Sequence, residues 1–137
     1  MKSWIVAIAV ALIPVGAVAV GAFEDETPDT ETIMKALFKK GQGKFNSALK
    51  TQVAASPTDW EALQKTTEEI AKNGKALAKN DPEKGPKESW AKLAGKFGDD
   101  TKALDDAADA KDLAKVKAAQ KAIGGSCKAC HDAHRGE

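Results

Sequence analysis

The chain has 137 residues, enough for one domain and short for two. Its 21 basic and 20 acidic side chains leave a formal charge of +1, and no basic block carries interleaved aromatics, so the nucleic-acid-binding class gains no support.

The chain opens on "MKSWIVAIAVALIPVGAVAVGAFEDE", with one lysine and then no charge until Glu24. A short basic end, an apolar run and small residues at Ala17-Val18-Ala19 or Val20-Gly21-Ala22 read as a secretory signal peptide. Cleavage after Ala22 is favoured, giving a leader of 1–22 and a mature domain of 23–137; cleavage after Ala19 is the close alternative. The uncharged run also has the length of a membrane span, so a retained anchor is the competing reading. Pro14 and the small residues favour cleavage. Loss of 1–22 removes one lysine and no acid, leaving 20 basic and 20 acidic residues.

Four helical segments follow, with no strand-like alternation. The first runs from Asp29, a capping residue, to Ala55. Ile33, Met34, Leu37, Phe38, Phe45, Ala48 and Leu49 recur at three and four and form one apolar stripe. Gly41 and Gly43 weaken its middle and mark a bend or a close approach. The second segment opens on Ser56-Pro57-Thr58-Asp59, with serine as cap and proline at the first helical position. Trp60, Leu63, Thr67, Ile70, Ala71 and Leu77 lie on one side, and "KNDPEKGP" stops it. The third starts near Lys87, carries Trp90, Leu93, Ala94, Phe97, Thr101, Leu104 and Ala108, and reads through Gly98. The fourth begins at Ala110 to Asp112 and runs through Leu113, Val116, Ala119, Gln120 and Ile123 into the terminal string, with Gly124-Gly125 as a soft spot. The fold class expected is all-α, an antiparallel four-helix bundle. Aromatics are 5% of the chain and alanine fills many inward positions, so the core is expected to be thin, with room for a bulky apolar group.

The chain ends in "SCKACHDAHRGE", which holds its only cysteines and histidines. Export places Cys127 and Cys130 in an oxidising compartment, but a disulfide between them would close a tiny loop and stabilise little. Cys-x-x-Cys-His reads instead as a c-type haem attachment. Thioethers from Cys127 and Cys130 fix the macrocycle to the helix, and His131 then ligates the iron. A redox dithiol lacks its βαβ context. A zinc site would need Cys127, Cys130, His131 and His134 together on one helix, which strains tetrahedral geometry. Met34 is the one methionine left after leader removal, and from the residues alone it is either a core gap filler or an iron ligand. The chain suggests no serine–histidine–acid set and no phosphate loop. "DDTKALDDAADAKD" reads as a solvated face with local ion pairs. Lys35, Lys39, Lys40, Lys44 and Lys50 form the wet side of the first segment, and could also steer an acidic partner.

From Lys87 to Arg135 the sequence resembles the class II c-type cytochromes, the group of cytochrome c′ and low-spin cytochrome c556-like proteins. "SWAKLAGKF", the alanine-rich connection and "CKACHDAHR" carry the resemblance, which extends weakly into the first segment. It implies a four-helix bundle with one covalently bound haem c near the C-terminus, a periplasmic location, periplasmic redox partners and frequent homodimerisation. It also implies that Met34, in "IMKAL", is the sixth iron ligand, and that Arg135 influences the electrostatics of the proximal haem face. On this basis the expected function is one-electron transfer by a carrier that is not an enzyme. The mature form would engage neither nucleic acid nor membrane, unless the N-terminal segment is retained. The alternative is a five-coordinate, high-spin cytochrome c′-like protein binding NO or CO beneath Leu37 or Phe38. Two departures stand out. Thr30 and Glu31 occupy the region where relatives carry an arginine near a haem propionate. His134 stands where tyrosine or phenylalanine is usual, and is expected at the helix end, near solvent or a propionate.

Overall fold

The structure, a computed structural model, describes residues 26–136. The expected leader, 1–22, and the first residues of the mature domain lie outside the described residues. The described elements are all helical: α1 (Thr30–Phe38), a π-helical segment (Lys44–Leu49), α2 (Lys50–Ala54), α3 (Trp60–Leu77), α4 (Lys87–Asp109) and α5 (Leu113–His134). Among the described residues no helix is long and apolar enough to cross a membrane.

The first segment is not one helix. Asp29 caps α1, accepting from the Thr32 N–H at 2.7 Å. The helix stops at Phe38. Gly41 turns the chain with φ +76°, a conformation that side chains resist. Gly43 is buried against the backbone of Leu37, where a Cβ would collide with the carbonyl. The chain then re-enters helix with a π turn. Asn46 donates from Nδ2 to the Phe38 carbonyl at 2.8 Å, satisfying an acceptor left free at the end of α1. Phe45, Leu49 and Val53 are buried behind the break.

The second helix begins later than Ser56. Asp59 is its cap, accepting from the Ala62 N–H at 3.0 Å. Aspartate and serine cap about equally well, and the carboxylate nearer the first core residue, Leu63, takes the position. α4 runs unbroken through Gly98, which is used for packing. A Cβ there would sit 3.3 Å from the Gly74 carbonyl on α3, and Gly74 in turn meets the Thr101 side chain. Gln64 reaches the Ala108 carbonyl at 3.2 Å and Thr67 reaches Asp105 at 2.8 Å. Low numbers on α3 thus meet high numbers on α4, and the two helices run in opposite directions. Asp112 caps α5 through the Lys115 N–H at 3.1 Å, and the helix passes Gly124-Gly125 without a break.

The core is better filled than composition implies. Its buried members are mostly Ile, Leu, Val and Phe, with Trp90; among the described residues only Ala94, Ala107 and Ala108 are buried alanines. Most of the other alanines face outward, where they support helix by propensity. Lys96–Asp100 and Lys128–Asp132 are exposed i,i+4 pairs at 2.6 Å, worth about 0.3–0.5 kcal/mol each.

Candidate functional site

α5 presents Cys127, Cys130 and His131 at spacings of three and four, which places all three on one helix face. That face borders a cavity of about 680 Å³. Met34 lines it from α1, with Phe38; Leu77 lines it from α3, and Trp90, Leu93 and Phe97 from α4. Arg135 and His134 stand at its C-terminal end. All five residues singled out in the sequence (Cys127, Cys130, His131, Met34 and Arg135) therefore border a single space.

The register of α1 explains how. Ile33 and Leu37 are fully buried in the core, while Met34 and Phe38, one residue further round, are half-buried and turn to the cavity. Leu37 is thus a core residue and not a candidate lid. Phe38 is held by aromatic neighbours, with ring centroids 5.4 Å from Phe45 and 6.3 Å from Phe97. It also borders a second cavity of about 500 Å³, which shares Cys127 and His131 with the first. Lys50, Lys117 and Lys121 rim this second opening, and no acidic residue lines it.

Both cysteines are free and half-buried. The Cys127 thiol points along its helix to the Ile123 carbonyl, 3.7 Å away. Burial pushes the Cys130 thiol above its ordinary pKa, and the neighbouring Cys127 adds to the effect. His131 is exposed, and its ring makes no hydrogen bond to another described side chain. Arg135 closes α5, its N–H donating to the His131 carbonyl at 3.1 Å.

His134 ends α5, as expected, but it is not near solvent: it is 2% exposed, hydrogen-bonded to Ser89 and to the Lys84 carbonyl, and it borders the cavity. Those partners lie 45 and 50 residues away, beyond any local signal. The four-ligand zinc arrangement is not assembled: among the described residues no three His, Cys, Asp or Glu side chains are grouped to hold a metal ion.

The donor set fits a haem. Two thiols, an imidazole and a thioether border one space walled by Phe, Leu and Trp side chains. Residues 85–135 match the family model described as Cytochrome C′. That match supports the class II c-type cytochrome family. The matched span contains α4, α5 and the terminal string, so the cytochrome assignment rests on the helices that carry the thiols and His131. That family suggests haem c as cofactor and an electron-carrying role. Met34 lies outside the matched span. No curated protein and no solved structure matches the chain.

Proposed function

We propose that this protein is an exported, periplasmic cytochrome of the class II type, an antiparallel four-helix bundle carrying one haem c for one-electron transfer. The observation behind this reading is that Met34 borders the same cavity as Cys127, Cys130 and His131, although it comes from the other end of the described chain. α1, with the 44–54 segment behind it, serves as the first helix of the bundle, and α3, α4 and α5 as the others.

Cys127 and Cys130 would hold the haem as two thioethers, each S–H adding across one vinyl group with no leaving group. His131 would hold the iron through its imidazole, and Met34 would offer it a soft, neutral thioether. When bound, the haem supplies an iron that cycles between ferrous and ferric. Phe38, Trp90, Leu93 and Phe97 give the cavity an apolar wall, which would disfavour the more highly charged oxidised state, while Glu31, Lys35, Lys39, Glu83 and Lys96 line it as well. The Arg135 cation acts in the same direction, weakened by its exposure to solvent and salt. Lys50, Lys117 and Lys121, beside His131, fit an acidic periplasmic redox partner.

A five-coordinate gas-binding reading is favoured by one observation. Phe38, fixed between Phe45 and Phe97, is positioned to close the cavity over an open iron. The absorption spectrum of the haem-loaded protein decides between the two, recorded reduced and oxidised, with and without CO. A low-spin spectrum indifferent to CO is expected. A high-spin spectrum that changes at once with CO overturns electron transfer through His131 and Met34 in favour of gas binding.

A further inference from the structure

His134 is buried in the wall of the site, and nothing in the proposed electron transfer uses it. The Lys84 carbonyl, 2.9 Å from Nδ1, can only accept, so Nδ1 carries a hydrogen. Nε2 shares a hydrogen bond with the Ser89 hydroxyl, 2.6 Å away. The ring meets Trp90 edge-on at 5.5 Å, and Trp90 donates from its indole N–H to the Asn80 carbonyl at 2.6 Å. Gly85, with φ +81°, lets the loop come this close: a Cβ there would lie 2.6 Å from the Ala133 carbonyl and 3.0 Å from His134 Nδ1.

The burial pattern of α5 gives this arrangement its significance. Ile123 is fully buried and His134 is buried, but no residue from Gly124 to Ala133 is. The ten residues between include Cys127, Cys130 and His131. Gly124 and Gly125 have open space where their Cβ atoms would be, and each lowers the intrinsic helix preference by roughly 1 kcal/mol relative to Ala. The ligand-bearing turns thus have fully buried contacts only at their two ends, with Cys130 packed partly against the core between them, and His134 is the C-terminal anchor.

We propose that His134 is a positioning residue for His131: by bonding to Ser89 on α4 and to Lys84 in the α3–α4 loop, it fixes the last turn of α5 and hence the direction of the His131 imidazole. The positioning role rests on the cytochrome reading; the anchoring itself does not.

The test compares wild type, His134→Phe, His134→Asn and Thr67→Val, all as haem-loaded protein. Phenylalanine keeps the volume and the Trp90 contact but loses both hydrogen bonds. Asparagine keeps a donor near the Nδ1 position. Thr67→Val removes a buried hydrogen bond on α3, remote from the string, and controls for general destabilisation. In His134→Phe the amides of residues 127–135 are expected to exchange at least about tenfold faster, the effect of losing buried hydrogen bonds of ordinary strength. The axial-histidine signals in paramagnetic NMR should split or shift, His134→Asn should restore part of both effects, and Thr67→Val should change neither. Unchanged exchange in His134→Phe overturns the anchor. Faster exchange with unchanged axial-histidine signals overturns positioning, leaving His134 structural. If none of the proteins takes up haem, the cytochrome reading falls and the positioning role with it, and exchange on the haem-free proteins still decides whether His134 anchors this turn.

Discussion

Substituting Met34 by alanine separates ligation from packing. Methionine is a common gap filler, so loss of stability alone proves nothing about the iron. Met34 is half-buried, whereas its neighbour Ile33 is fully buried in the core. Large-to-small changes at fully buried sites cost about 2–5 kcal/mol, and a half-buried methionine belongs nearer 1–2 kcal/mol. At roughly 4 °C per kcal/mol for a domain of this size, Ile33→Ala should lower the melting temperature by about 8–20 °C and Met34→Ala by about 4–8 °C. The spectra should rank the other way. Ile33→Ala should remain low-spin and indifferent to CO. Met34→Ala should become high-spin, bind CO and show a lower midpoint potential, since the thioether that favours ferrous iron is gone. Absorption spectra, CO difference spectra and melting curves on the two variants suffice. A Met34→Ala protein that stays low-spin and closed to CO refutes the ligand assignment, whatever its stability.

Three further outcomes follow from the geometry. Cys127→Ala and Cys130→Ala should each keep a single thioether, and the double variant should release its haem into acidified organic solvent; retention by the double variant would exclude attachment through these sulfurs. Gly43→Ala drives a Cβ into the Leu37 backbone and should cost at least about 1–3 kcal/mol by thermal unfolding, whereas Gly125→Ala, with open space around it, should stabilise α5 by about 0.5–1 kcal/mol. Burial raises the Asp105 pKa above 3.8 despite the opposing Thr67 hydrogen bond, with Asp109, Glu68 and Asp106 adding repulsion, so its ionisation in the folded state opposes folding. The stability linked to its protonated form is fully present below the unfolded value and is lost as pH rises through the raised folded one. Asp105→Asn should therefore be more stable than wild type at pH 7, with an advantage that fades as acid protonates the carboxylate; an advantage independent of pH would point to packing instead.

What could be read from the sequence was what local spacing determines. Cys127, Cys130 and His131 share a face because three and four residues are one helical turn, and no tertiary knowledge is needed to see it. The starts of α4 and α5 were legible for the same reason. The break in the first segment was only half visible. Gly41 and Gly43 flagged it, but Phe45, Ala48 and Leu49 keep a three-and-four spacing that a π turn tolerates as well as an α turn. At α3, Ser56 reads as the cap because Pro57 follows it, whereas the helix starts three residues later with Asp59 as its cap. His134 was misread because its environment is made by Lys84, Ser89 and Trp90, which only the folded chain brings to it.

The same distinction bears on α1, where the two functional readings meet. A helix of nine residues presents Ile33 and Leu37 on one stripe and Met34 and Phe38 on the next. Periodicity alone merged these into a single apolar face, because 33, 34, 37 and 38 all belong to a broad core stripe. The structure divides them: one stripe packs against the body of the protein, and the other lines the cavity. Core packing therefore accounts in full for Ile33 and Leu37, whereas Met34 and Phe38 pack against the core on one side and border the cavity of Cys127, Cys130 and His131 on the other. A helix that served only the core could end its apolar face at Leu37. Extending that face to Met34 and Phe38 makes sense when something apolar occupies the space, with Met34 the side chain able to bind iron and Phe38 the one able to cover it.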